Sequence, residues 1–349
     1  MTLQAVPGFS PAETDDLIQS LEPLLNRDSP IPLKIAELKR SSSPYASSYP
    51  LEEVVVLFES GRRLEMIFKD VRIDAHSDAV RRAKPDFLFS PLREMTVYQT
   101  LLDSRRLGTA RYFGSVVNES RGRYWLFLEN VDGDELYTVG DFQVWKQTAR
   151  WLAQFHDQMD ERPDFTRNAL KYLIQYDTNY FNCWIERALT FTAAADERRA
   201  SASTDFLRRL ASEYSRWVDE LAALRKTVIH GDFYPSNIII DAKNDPPRVC
   251  AVDWEQAAFG PGLVDLASLT SGNWNEQQRE ELAREYYQLS QRRGIDLPDW
   301  RSFLRAFELC RLHLAIQWLG WSPDWSPPDA HRQDWLTIAQ DAYCRLNGN

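Results

Sequence analysis

The hydrophobic period of this chain changes near Phe142, and that change divides it into two unlike parts. Before it, "LKIAELKRS", "LEEVVVLFES" and "LEMIFKDV" alternate or cluster β-branched and apolar residues, with "ESGRR" as a turn between the second and third. "ARYFGSVVN" and "YWLFLENVDGDEL" add two more such runs. A period of two puts one face of each strand on a core, so the pattern predicts a small antiparallel sheet of about five strands. The serine-rich "SSSPYASSYP", residues 41–50, is too polar for a strand interior and predicts a flexible hairpin tip. Two helices flank these strands. One opens at Ser10 and Pro11 and carries Leu17, Leu21 and Leu25; the other opens at Ser90 and Pro91 and carries Glu94 beside an apolar stripe from Leu92 to Leu102.

Beyond Phe142 the period is helical. "VWKQTARWLAQFHDQM", "LKYLIQYDTNYFNCWIERAL", "TDFLRRLASEYSRWVDELAAL" and "RSFLRAFELCRLHLAIQWLGW" repeat apolar residues every three or four positions. Strand signals return around one segment, where "NIIID" and "RVCAVDWE" are joined by the turn residues of "AKNDPP", and helices resume after "FGPG". At 349 residues the chain exceeds one ordinary core, so two lobes are expected.

A net charge of −10 with no basic stripe argues against nucleic acid as a partner, because phosphate-backbone affinity needs clustered Lys and Arg. Cys183, Cys250, Cys310 and Cys344 are far apart and lack metal-ligand spacing, as expected of free thiols in a reducing compartment. "MTLQAVPGFSPAETDDL" has no basic region followed by an apolar run, and no stretch is long enough to span a bilayer. The expectation is a cytoplasmic protein without a membrane partner; the sequence leaves its oligomeric state open.

The segment "VIHGDFYPSNIIID", Val228 to Asp241, carries polar side chains on a loop pinned by β-branched flanks, so they are presented to solvent or ligand. Asp232 and Asn237 lie five positions apart on it, and Asp253 follows in the return strand of the hairpin. Phosphoryl transfer requires a group that orients the attacking hydroxyl, metal ligands and a cation on the phosphates. One acid aimed at a hydroxyl, with an amide oxygen and a second carboxylate on Mg²⁺, would meet the first two needs. Taken singly, each of the three is an ordinary loop cap.

"HGDFYPSN" followed by "VDWE" resembles the signature of the aminoglycoside phosphotransferase and choline kinase family, whose members resemble protein kinases in fold. The resemblance implies an α+β, protein-kinase-like bilobal fold, with a small antiparallel-sheet lobe over residues 1–131 and a larger, mainly helical lobe over 132–349. It implies that Asp232 is the catalytic acid or base, that Asn237 and Asp253 coordinate Mg²⁺, that His230 packs the loop, and that Asp265 braces it. Lys69, closing the third strand, and Glu94, in the helix after the long connection "DVRIDAHSDAVRRAKPDFLFS", stand in the order of the pair that grips nucleotide phosphates. The backbone near Glu129, Asn130 and Val131 would meet adenine. The loop between the first two strands has no GxGxxG; Ser41, Ser42, Ser43, Ser47 and Ser48 would offer hydroxyls and amides in its place.

The nucleotide implied is ATP, with GTP left open, and the partner is a small-molecule hydroxyl acceptor such as an aminoglycoside, a choline-like amino alcohol or a sugar. Trp318, Trp321, Trp325 and Trp335 fit an acceptor wall or core packing, and Glu255 fits a metal or acceptor contact or an ordinary strand-end acid. His156 ends a segment resembling the family's "LAxLH" and is expected to pack a helix end. A second reading, motivated by the serine-rich loop, is a kinase-like module that keeps nucleotide affinity, or only the fold, without catalysis.

Overall fold

The computed structural model describes residues 12–27, 29–43, 49–72, 84–102, 107–160, 167–196, 202–321 and 332–348. Strands β1 (Ile35–Ser42), β2 (Leu51–Phe58), β3 (Arg63–Asp70), β4 (Tyr112–Asn118) and β5 (Arg123–Glu129) form one antiparallel sheet in the order β1-β2-β3-β5-β4. The alternation read from the sequence is real: along β2, Glu52, Val54, Val56 and Phe58 are buried while their neighbours are half-buried. That buried face, with Phe68 stacked on Phe127, packs under the helix Thr14–Asn26 through Leu17 and Leu21. Each such apolar side chain contributes about 1.5–3 kcal/mol by leaving water. Glu52 is tolerated on this face because Arg40 meets it through two parallel hydrogen bonds of 2.6 and 2.8 Å.

The remainder is mostly helical and holds the larger core. Two small sheets sit in it. One has the order β10-β9-β6, from β6 (Asp134–Glu135), β9 (Ile238–Asp241) and β10 (Arg248–Ala251); the other has the order β7-β11-β8, from β7 (Ile174–Gln175), β8 (Lys226–Ile229) and β11 (Ala258–Pro261). Together they fix both ends of the loop that carries Asp232. No helix among the described residues is long and apolar enough to cross a membrane.

Several local expectations are corrected. The first helix starts at Thr14, after the non-helical Ala12 and Glu13, while Ser10 and Pro11 lie outside the described residues. Strand β1 extends into the serine run because Ser41 and Ser42 pair with Glu53 and Glu52, and a partner strand outweighs local polarity. Ser90 precedes the helix Pro91–Thr96 without a side-chain capping bond. The stretch 170–189 is not one helix: Ile174–Gln175 pairs with β11, and the helix begins at Thr178. "FGPG" is not only a turn. Its first residues belong to β11, which β8 recruits, and Gly260 allows this by packing against the Tyr176 ring.

Candidate active site

The loop after β8 is built from backbone bonds to one buried acid. Asp265, fully buried in the helix Leu263–Leu269, accepts from the amides of His230 (2.7 Å) and Gly231 (2.9 Å). Gly231 has φ +77°, and a Cβ there would lie 2.2 Å from the Gln256 carbonyl oxygen, so the bend demands glycine. Burial pushes the His230 imidazole pKa down, keeping the ring neutral. A neutral ring with its proton on Nε2 donates to Val252 O at 2.8 Å, which leaves Nδ1 to accept from the Asp232 amide at 3.3 Å. His230 is therefore scaffold, as the resemblance implied, and so is His156, whose Nε2 lies 3.3 Å from Asp265 and whose Nδ1 lies 2.9 Å from the Tyr286 hydroxyl.

This frame presents Asp232 half-buried beside Asn237. Asn237 closes the turn Pro235–Asn237, and its Nδ2 donates to both the carbonyl (2.9 Å) and the carboxylate (3.0 Å) of Asp232. Its amide oxygen has no protein partner among the described residues. Burial and the Asp253 and Glu255 carboxylates raise the Asp232 pKa to about 7, against the opposing Lys84 and Asn237. A carboxylate poised there can take a proton from a hydroxyl near neutral pH.

Asp253 reaches the same place from the end of β10. Its backbone is left-handed (φ 60°, ψ 62°), the only positive φ of a non-glycine residue among those described. Such a conformation costs about 1–2 kcal/mol and persists where surroundings enforce it. The enforcing contact comes from the next residue: the fully buried Trp254 donates its amide to Glu94 Oε1 at 3.2 Å. Glu94 and Asp253 then share one cation, with Lys69 Nζ 2.7 Å from Glu94 Oε2 and 2.6 Å from Asp253 Oδ1. Lys69 and Glu94 are each 3% exposed, and the Tyr49 ring lies 5.5 Å from the ammonium. Burial alone would depress the lysine, but Asp253, Glu94 and Glu255 outweigh it and hold the ammonium well above the usual range.

The structure thus joins Lys69, Glu94 and Asp253 by ion pairs, and Asp232 and Asn237 by hydrogen bonds, with Asp253 acting electrostatically on Asp232. Among the described residues no group of three His, Cys, Asp or Glu could hold a metal by itself. The Asn237 amide oxygen and the Asp253 carboxylate are hard oxygen donors of the kind Mg²⁺ takes when nucleotide phosphates and water complete its shell, so they fit that ion. Ser42 is exposed at the end of β1, while the Ser43 amide is committed to Leu51 O; Ser47 and Ser48 lie outside the described residues. Glu129 ends β5 with its amide on Arg111 O and both carboxylate oxygens 2.8 Å from the Arg248 guanidinium, a tie between lobes that the sequence did not suggest. Val131 is half-buried against the large core.

Other unforeseen residues are Arg93 and Lys84. Arg93 is 3% exposed and donates to Glu255 O at 2.7 Å, and the Lys84 ammonium pairs with the Glu255 carboxylate. A helix-surface arginine beside Glu94 carries no signal of its burial. Near the loop, the Trp318 indole meets the Tyr234 hydroxyl and stacks on Trp335, and Trp321 stacks on Trp184, so these tryptophans pack on neighbours. Trp325 lies outside the described residues.

A small antiparallel lobe bearing a buried Lys–Glu pair, set on a helical lobe bearing an acid–amide loop and a strand-end aspartate, defines a kinase-like fold. Residues 55–304 match the phosphotransferase enzyme family, and the chain belongs to it. Solved structures agree in fold: a microcompartment-associated aminopropanol kinase (14% identity over 95% of this chain and 97% of that one, TM-score 0.55) and the choline kinase LicA of Streptococcus pneumoniae (12%, 96% and 99%, TM-score 0.54). The GDP complex of wild-type aminoglycoside 2'-phosphotransferase-IIIa is similar as well (14%, 95% and 99%, TM-score 0.52). No curated protein matches the sequence.

Proposed function

We propose that this chain transfers the γ-phosphoryl group of ATP, or of GTP, to a hydroxyl of a small molecule: an aminoglycoside-like antibiotic, a choline-like amino alcohol or a sugar. The observation that carries the reading is the Asn237 amide locked onto Asp232, in a loop braced by Asp265 and facing the Lys69–Asp253 pair. Asp232 orients the acceptor hydroxyl and takes its proton. Lys69, kept charged by Glu94, binds nucleotide phosphates, and the backbone at Glu129–Val131 and the hydroxyls of Ser42 and Ser43 bound the nucleotide. Mg²⁺, when bound, would neutralise charge on the β- and γ-phosphates; Asn237 and Asp253 would hold it. In this reading residues 1–131 form the nucleotide lobe, residues 132–349 carry the catalytic loop and acceptor site, and the enzyme works in the cytoplasm without nucleic acid or membrane.

The test is Asp232→Ala, assayed with MgATP and acceptors from the three classes. Turnover is expected to fall by about 10³-fold, while stabilisation by MgATP stays near wild type. Wild-type-like turnover in the variant sinks the assignment. Stabilisation of the unaltered protein by MgATP without transfer to any acceptor favours the non-catalytic module instead.

A further inference from the structure

Lys84 occupies a built position in the site that the reading above leaves without a role. It precedes the short turn Asp86–Leu88, whose carbonyls at Phe87 (3.1 Å) and Leu88 (3.0 Å) both accept from the Arg93 guanidinium. The same guanidinium donates to Glu255 O (2.7 Å) and Tyr172 O (2.9 Å), so one buried side chain ties segment 84–88 of the small lobe to both residues of the large one. Across that tie, the Lys84 ammonium pairs with the Glu255 carboxylate at side-chain exposures of 10% and 13%. An exposed pair would contribute almost nothing, but this one is largely withdrawn from water and stands two residues along the chain from Asp253. Phe87 of the same turn meets the Tyr180 ring edge-on at 5.8 Å. The Lys84 charge also acts on Asp232, opposing Asp253 and Glu255.

We propose that Lys84 is a second phosphoryl-binding cation of the transfer step, and that Glu255 positions its ammonium toward the γ-phosphoryl oxygens. The proposal rests on the phosphotransferase reading. In the step, the bond between the γ-phosphorus and the β,γ-bridging oxygen breaks, releasing the nucleoside diphosphate. A bond from the acceptor oxygen to that phosphorus forms, and the acceptor proton passes to Asp232. The Lys84 ammonium stays protonated and donates to a non-bridging oxygen of the group in flight, whose charge a loose transition state leaves to the protein. Lys69, its nitrogen held between Glu94 and Asp253 at the more buried end of the site, would meet the other phosphates of the nucleotide.

The full chain can be tested without knowing the acceptor, using MgADP with aluminium fluoride as a mimic of the group in flight and water as the acceptor in slow MgATP hydrolysis. MgADP is expected to stabilise wild type, Lys84→Met and Lys84→Arg alike. Aluminium fluoride adds stabilisation in wild type, loses it in Lys84→Met and regains it in Lys84→Arg. Hydrolysis by Lys84→Met falls about 10²-fold in kcat, with KM for MgATP within about threefold. If Lys84→Met does not fold, Glu255→Gln carries the same readout, since it leaves the lysine in place without its anchor. Unchanged fluoride trapping, or a raised KM at unchanged kcat, overturns the proposal alone. Failure of MgADP to stabilise wild type overturns the phosphotransferase reading and this proposal with it.

Discussion

The two ends of the site are held by opposite means. At the loop end, Asp265 is committed to the His230 and Gly231 amides, and Asp232 is fixed by Asn237, so rigidity comes from hydrogen bonds to the main chain. At the other end, the one proposed to meet phosphate, rigidity comes from charges that hold one another: Lys69 between Glu94 and Asp253, and Glu94 also on the Trp254 amide. A loop braced by backbone is ready before any ligand arrives. An ion-pair cluster is ready only in part, because a nucleotide's phosphates would compete for the same lysine and a metal for the same aspartate.

The largest effect should come from breaking the charged end. Lys69→Met leaves Glu94 and Asp253 facing each other without their cation, and an uncompensated buried charge of this kind costs about 3–5 kcal/mol. The loss is pH-dependent, with a definite sign. Burial foremost, along with Asp253, raises the Glu94 pKa, and Lys69 opposes that rise; removing Lys69 raises it further, so the folded variant holds on Glu94 a proton that the unfolded chain has released. Stability tied to that proton is present at low pH and is lost as pH rises through the folded value. Urea unfolding of Lys69→Met should therefore show a smaller deficit at pH 6 than at pH 8. Equal deficits would mean that Glu94 does not take up the charge imbalance.

The braced end should respond less in stability and more in rate. In Asp265→Asn one amide oxygen remains for two N–H donors, and the new NH₂ faces one of them. Hydrogen bonds to a charged partner contribute about 1.5–3 kcal/mol, so kcat should fall roughly 10- to 100-fold as the loop loses its seat. MgADP binding, which in the proposed reading depends on the other end, should stay near wild type. Loss of MgADP binding with intact kcat would show that the two ends are not held independently.

The difference between the ends also explains what could be read in advance. The loop end is contiguous in sequence, and Gly231 between His230 and Asp232 signals a bend at φ +77°. The five-strand sheet was legible for a similar reason, since each strand of 7 or 8 residues is a local run of β-branched and apolar residues, with burial alternating strictly in β2. The phosphate end is assembled across 184 positions, from Lys69 to Asp253, so only the order of its members was visible. Strand β11 escaped because "AFGP" has little intrinsic strand preference and is made a strand by β7 and β8. Lys84, Arg93 and Tyr49 escaped because their roles depend on segments brought in by tertiary packing.

The smallest effect separates the ends by pH rather than by deletion. In the proposed reaction Asp232 would act as a base only when ionised, and its value of about 7 would place the acid limb of kcat/KM near neutrality, with a tenfold fall per pH unit below it. Asp253 and Glu255 both push that value up after burial, and Lys84 pulls it down. Glu255→Gln removes one repulsive charge and leaves the Asp265 brace intact, so the limb should move to lower pH while the plateau rate at high pH reports only the altered Lys84. A limb that stays in place would show that the Glu255 charge does not reach the loop, and that burial and Asp253 set the proton affinity of Asp232.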